Sequence, residues 1–193
     1  MELMVAGLIV FLGVHSVRVF AEPLRARAIA RLGEMPWKGA YALLSLAGFA
    51  LLVYGYGLAR QSPVVVWTPP RGMAHLAALL TLVSFVFLVA AYVPGNGIKA
   101  RLHHPMVLGV KVWALAHLLA NGTLADMVLF GAFLLWSVLL FRASRQRDRA
   151  QGTVYPPGRR AATWITLVVG VAAWFVFAFW GHARLIGVSP LGV

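Results

Sequence analysis

Six stretches of this chain, about residues 3–20, 39–59, 73–93, 104–120, 124–141 and 161–181, are almost free of charge. A helix of about 20 residues crosses the roughly 30 Å of bilayer hydrocarbon. In lipid every backbone polar group has to be satisfied inside its own segment, which leaves helices or closed barrels, and runs of this length predict helices. The punctuation between the runs agrees: Glu22-Pro23, Pro63, Pro69-Pro70, Pro94-Gly95-Asn96-Gly97, Asn121-Gly122 and Tyr155-Pro156-Pro157 are turn or breaker signals. The expected fold is all-α, a polytopic bundle of six transmembrane helices, forming one domain over residues 1–193.

Composition supports the bilayer. At 61% hydrophobic and 11% charged residues, with mean hydropathy +0.83, the chain cannot cover a soluble globule with polar groups. There is no cysteine, which removes disulfides, thiolate ligands, iron–sulfur clusters and covalent c-type haem attachment. Any metal would be held by histidine, methionine or carboxylate. The first apolar run opens directly after Met1-Glu2 without a basic region ahead of it, and is read as a retained span rather than a signal peptide.

Basic residues sort by loop. Arg18, Arg25, Arg27, Arg31, Lys38, Lys99, Arg101, Arg142, Arg145, Arg147, Arg149, Arg159 and Arg160 fall on one side of the bundle, and only Arg60, Arg71 and Arg184 on the other. The positive-inside rule then places both termini on the non-cytoplasmic side. The net charge of +12 is thus a topology signal, and nucleic acid is not an expected partner. Membrane lipid is: the run RASRQRDR at 142–149 is expected to rest on anionic lipid. Asn121-Gly122 predicts a tight hairpin between the fourth and fifth spans, with Thr123 and Asp126 spaced as a capping box.

His15 and His117 carry the chemistry, because each lies in a nearly pure apolar run, LIVFLGVHSVRVF and KVWALAHLLANG. An imidazole is costly in hydrocarbon without a partner, and neutral imidazole ligates iron, copper and zinc. A hydrogen-bonded helix histidine is the structural alternative for each. Lys111 lies near the middle of the fourth span with no carboxylate at its depth, so a ligand carboxylate such as a haem propionate, or a lipid phosphate reached by snorkelling, would complete its charge. Trp113 and Trp136 are central enough to wall an apolar pocket. Trp37, Tyr41, Trp67, Tyr92, Trp164 and Trp180 fit an interfacial belt. His104-Pro105 reads as the start of the fourth helix.

The stretch HHPMVLGVKVWALAHLLANG, residues 103–122, with GVHSVRVF around His15, RGMAHL around His75 and AFWGHARL around His182, resembles the NnrU family of bacterial membrane proteins. It is similar, more distantly, to 15-cis-zeta-carotene isomerase. The resemblance implies a polytopic helical protein that, in the isomerase branch, holds b-type haem through two axial histidines, at positions matching His15 and His117. The isomerase has a cysteine three residues before its second ligand, where this chain has Ala114, so exchange onto sulfur is unavailable. The NnrU branch implies a role around nitrite and nitric oxide metabolism, with denitrification proteins as partners.

The predicted spans put His15 and His117 roughly 10–15 Å apart along the membrane normal at 1.5 Å per residue. Either the first span runs on towards Glu22-Pro23, or the haem is tilted, or His117 pairs with His75 or His182, which are the fallback ligands. The leading expectation is a haem b protein that binds nitric oxide, performs a redox step, or acts as an isomerase on an apolar polyene. Two other classes compete. One is a membrane methyltransferase of the isoprenylcysteine methyltransferase type, with Arg101-Leu102-His103-His104-Pro105 cradling its cofactor. The other is a non-enzymatic assembly factor for a denitrification complex.

Overall fold

The computed structural model describes residues 1–190, and among these every regular element is helical. The apolar runs form α1 (Glu2–Phe20), α3 (Glu34–Ala59), α4 (Met73–Tyr92), α6 (Pro105–Ala120), α7 (Leu124–Ala150) and α8 (Arg160–Val176). Between them lie two short helices, α2 (Glu22–Leu32) and α5 (Gly97–Leu102). A π-helical turn, Phe177–Gly181, carries α8 into α9 (His182–Ile186). Five helices, Glu2–Phe20, Glu34–Ala59, Met73–Tyr92, Leu124–Ala150 and the continuous Arg160–Ile186, are long and apolar enough to cross a membrane. The 16-residue α6 is shorter, about 24 Å against roughly 30 Å of hydrocarbon.

Two expected boundaries move. The second apolar run starts at Glu34 rather than about 39, because its amphipathic lead-in EMPWK already carries helical spacing, with Lys38 paired to Glu34 at 2.8 Å. The fifth continues past 141 to Ala150, taking the whole RASRQRDR run into α7. The segment after α1 is likewise helix rather than plain loop, since Pro23 sits in the first turn of α2 where its missing N–H costs nothing.

Helices approach closely where one of them has no side chain. A Cβ at Gly7 of α1 would run into the backbone of Leu52 on α3, and one at Gly55 into that of Met4. One at Gly48 would lie 2.7 Å from the Phe11 nitrogen. Helix association in lipid is driven by such close packing rather than by expulsion of water. On α4, the Ser84 hydroxyl donates to the Gly109 carbonyl of α6 at 2.8 Å. Met4, Leu8, Leu52, Ala114, Ala125, Leu129 and Phe130 form the core where α1, α3, α6 and α7 meet. Leu43, Leu46, Ile9, Leu79, Leu135, Val168 and Phe175 are exposed, a large apolar periphery suited to lipid and not to water.

The α6–α7 hairpin is locked as its sequence suggests. Thr123 and Asp126 form the reciprocal capping box, and Asp126, 6% exposed, also accepts a hydrogen bond from Tyr56 of α3 at 2.5 Å. The α3–α4 connection pairs with the hairpin turn, Val66 N–H donating to the Gly122 carbonyl at 2.9 Å.

Candidate functional site

His15 projects from the fourth turn of α1, and its Nδ1 lies 2.7 Å from the carbonyl of Phe11, four residues back on the same helix. His117 repeats the arrangement on α6, with Nδ1 2.9 Å from the carbonyl of Trp113. A carbonyl only accepts, so each bond assigns the ring proton to Nδ1 and leaves the Nε2 lone pair outward. This is how metal-binding imidazoles are commonly oriented, with one nitrogen held by the protein and the other presented.

A column of aromatic rings joins the two histidines. His15 contacts Phe11 at 4.3 Å, Tyr41 at 5.3 Å and Trp136, edge-on, at 6.2 Å. Phe11 meets Phe133 at 6.0 Å, and Phe133 meets Trp113 at 5.5 Å. His117 stacks on Phe130 at 4.5 Å and touches Trp113 at 5.1 Å. Along α7, His117 is level with Phe130 and His15 with Trp136, a stagger of about 9 Å at the helical rise. That is slightly less than the roughly 10–15 Å expected from the spans. α1 ends at Phe20, so the first helix does not run on to close it.

The indole Nε1–H of Trp136 is buried without an acceptor. An orphaned donor in an apolar setting costs about 1–3 kcal/mol, and this one lies beside the ring of His15. The donor chemistry of the column therefore suits haem b: two imidazoles with Nε2 presented, apolar ring faces, and a buried donor for an acidic edge.

The remaining candidates are dispersed. Lys111 is half-buried, and no ion pair among the described residues reaches it. On α6, His117 lies roughly 120° round the helix from it, and His104, expected on its stripe, is the non-helical cap residue before α6. His75 is exposed at the start of α4. His182 has Nδ1 2.6 Å from the Val188 carbonyl and its ring against Phe177. No ring contact joins His75, His117 and His182 among the described residues. Nor do the described residues contain a group of three or more histidines and carboxylates able to hold a metal ion.

A second cluster surrounds His103 and His104, which the sequence offered as part of a cofactor cradle without its partners Arg145, Asp148 and Tyr155. At the α5–α6 joint, His104 Nε2 lies 2.9 Å from Asp148 Oδ2 of α7, and the Tyr155 hydroxyl donates to the same oxygen at 3.1 Å. The His103 ring stacks on Tyr155 at 4.0 Å, 8° from parallel, and its Nδ1 accepts from Arg145. Burial, then the Asp148 carboxylate, raises the Tyr155 hydroxyl above its ordinary value. The signal was present in RASRQRDR: on a continuing helix, Arg145 and Asp148 lie three residues apart on one face.

An all-helical chain with several helices long and apolar enough to cross a membrane defines a class, the multi-pass helical membrane proteins. Within that class the chain belongs to the NnrU family, described as NnrU protein, which matches residues 3–190. Neither a search of curated proteins nor one of solved structures returns a match.

Proposed function

We propose that this NnrU protein crosses a bacterial inner membrane six times, with both termini outside the cytoplasm, and holds haem b through His15 and His117 in the service of denitrification. Family membership supports the association with denitrification, and the distribution of basic residues supports the orientation. α6 supplies the sixth crossing in this reading. Its hairpin partner α7 and the α4 contact cover its backbone, and a short span is accommodated by local thinning of the bilayer.

The observation that carries the haem reading is the repeated histidine geometry, Nδ1 tied at 2.7 Å and 2.9 Å to the carbonyl four residues back. When bound, haem iron supplies one-electron redox chemistry and a binding position for diatomic ligands such as nitric oxide. The chain's own residues do the rest. His15 and His117 present ring nitrogens, Trp113, Phe130 and Phe133 exclude water, and the Trp136 indole offers a partner for the acidic edge of the ligand. An apolar polyene is the second candidate substrate for the same aromatic surroundings.

The test is an absorption spectrum of the detergent-purified protein, oxidised and then reduced with dithionite. A Soret band with sharp bands on reduction is the expected result. A colourless protein that stays colourless after incubation with haemin would overturn the haem assignment and leave the methyltransferase and assembly-factor readings.

A further inference from the structure

The chain has three lysines, Lys38, Lys99 and Lys111. Lys38 pairs with Glu34 at 2.8 Å, and Lys99 donates to the Ala91 carbonyl at 3.0 Å. Lys111 has neither kind of partner among the described residues, and it is the one set inside an apolar helix, PMVLGVKVWALAHLLA. An ammonium held in hydrocarbon is costly unless it meets an opposite charge or reaches the interface.

That opposite charge has to come from the lipid side. Lys111 is turned about 120° round α6 from His117 and the aromatic column, and it is separate from the elbow that His103 and His104 make between α5 and α6. One turn further along α6, Leu115 is 41% exposed. The Lys111 nitrogen is not sealed in the core, since the buried side-chain atoms left without a partner belong to Glu22, Ser45 and Trp136. Beside it, the lipid face of α7 carries Leu135, 62% exposed, and Gly131, where a Cβ would meet nothing within 4 Å. Acyl chains have room to lie there.

The depth fits a headgroup. Lys111 stands six residues past Pro105, the first residue of α6, which is about 9 Å along the axis. Helical side chains lean towards the N-terminus, and that end of α6 is the basic one, with Lys99 and Arg101 just before it. An extended lysine stem recovers about 6 Å of the depth by snorkelling. The remaining 3 Å or so is half of the roughly 6 Å by which α6 falls short of the hydrocarbon thickness. Thinning of the bilayer shared between its two faces supplies that half, so the ammonium arrives where headgroups begin.

We propose that Lys111 holds the phosphate of an anionic phospholipid on the lipid-facing side of the α6–α7 hairpin. A zwitterionic lipid brings its own cation to its phosphate and leaves the lysine uncompensated, whereas a headgroup of net negative charge does not. The site is independent of the aromatic column and of any haem there.

Thermal unfolding of the full-length protein in neutral detergent tests this, with added phosphatidylglycerol, phosphatidylcholine or free fatty acid of the same chain length. A ligand that binds the folded state raises the midpoint. Phosphatidylglycerol is expected to raise it more than either other lipid, and to bind about tenfold more tightly by native mass spectrometry. Lys111→Met is expected to lose that preference, while Lys111→Arg keeps it and so does Arg149→Gln, at the exposed end of α7. Should Lys111→Met fail to fold, the wild type decides after reductive 13C-dimethylation of its lysines: the Lys111 methyl signal should shift with phosphatidylglycerol and not with phosphatidylcholine. Equal responses of the wild type to phosphatidylglycerol and phosphatidylcholine, fatty acid bound as tightly as phosphatidylglycerol, a preference that survives in Lys111→Met, or one lost equally in Arg149→Gln overturns the proposal.

Discussion

Four histidines of this protein occupy two kinds of surroundings. His15 and His117 bond only to their own helices, through the carbonyl four residues back, and otherwise touch aromatic rings. His103 and His104 bond to residues more than forty positions away, in a polar network centred on Asp148. The first pair is oriented by helix geometry alone, which works in hydrocarbon because it needs no second polar group. The second pair is oriented by charge, which is affordable only at the end of the bundle where Arg145 and Asp148 can stay hydrated. The same side chain is thus held by its own helix in one place and by a charged network from other elements in the other.

The sharpest way to break that contrast is to disturb helix packing. Replacing Gly7 or Gly55 with leucine puts a side chain against the backbone of the facing helix. It is expected to destabilise by about 3 kcal/mol or more, the upper end of overpacking. Because α1 carries His15 and neither elbow histidine, these variants should lose the upper column while the α5–α6 elbow persists. Thermal unfolding in detergent, with proteolysis of the two regions, checks this.

Tyr56→Phe is expected to cost about 1–3 kcal/mol, since it leaves the buried Asp126 carboxylate short of a donor. The same measurement on Asp148→Asn should show a smaller loss, about 1 kcal/mol, because the elbow is partly hydrated. Equal losses would mean that the elbow is as dry as the bundle core.

The smallest effect is in pH. The Tyr155 hydroxyl is raised in the folded protein above an unfolded value of about 10. Its stabilising contribution is therefore complete below about pH 10 and disappears as pH climbs through the raised value. Tyrosinate absorbance of wild type against Tyr155→Phe should show one phenol titrating late. A Tyr155 that titrates with the exposed tyrosines would remove it from the network.

Much of the fold was legible because lipid permits so few solutions. Apolar runs bounded by proline and glycine located the long helices, and Thr123 with Asp126 announced the hairpin. What stayed hidden was tertiary. Gly7, Gly48 and Gly55 carry no local mark that distinguishes a crossing point from a loose helix, since the partner's backbone makes the difference. Pro23 was read as a breaker although it opens α2. His15 and His117 stood out by their cost in hydrocarbon, whereas the elbow did not, because histidine, arginine and aspartate at a membrane boundary are unremarkable until Asp148 is seen against His104.

The most direct test of the central claim sets the two histidine pairs side by side. Haem content and reduced-minus-oxidised spectra would be recorded for His15→Ala and His117→Ala beside His103→Ala and His104→Ala, each checked for folding by circular dichroism. The account predicts that either column substitution abolishes the wild-type haem spectrum and that neither elbow substitution does. A haem spectrum that survives both column variants, or one lost equally in all four folded proteins, would contradict it.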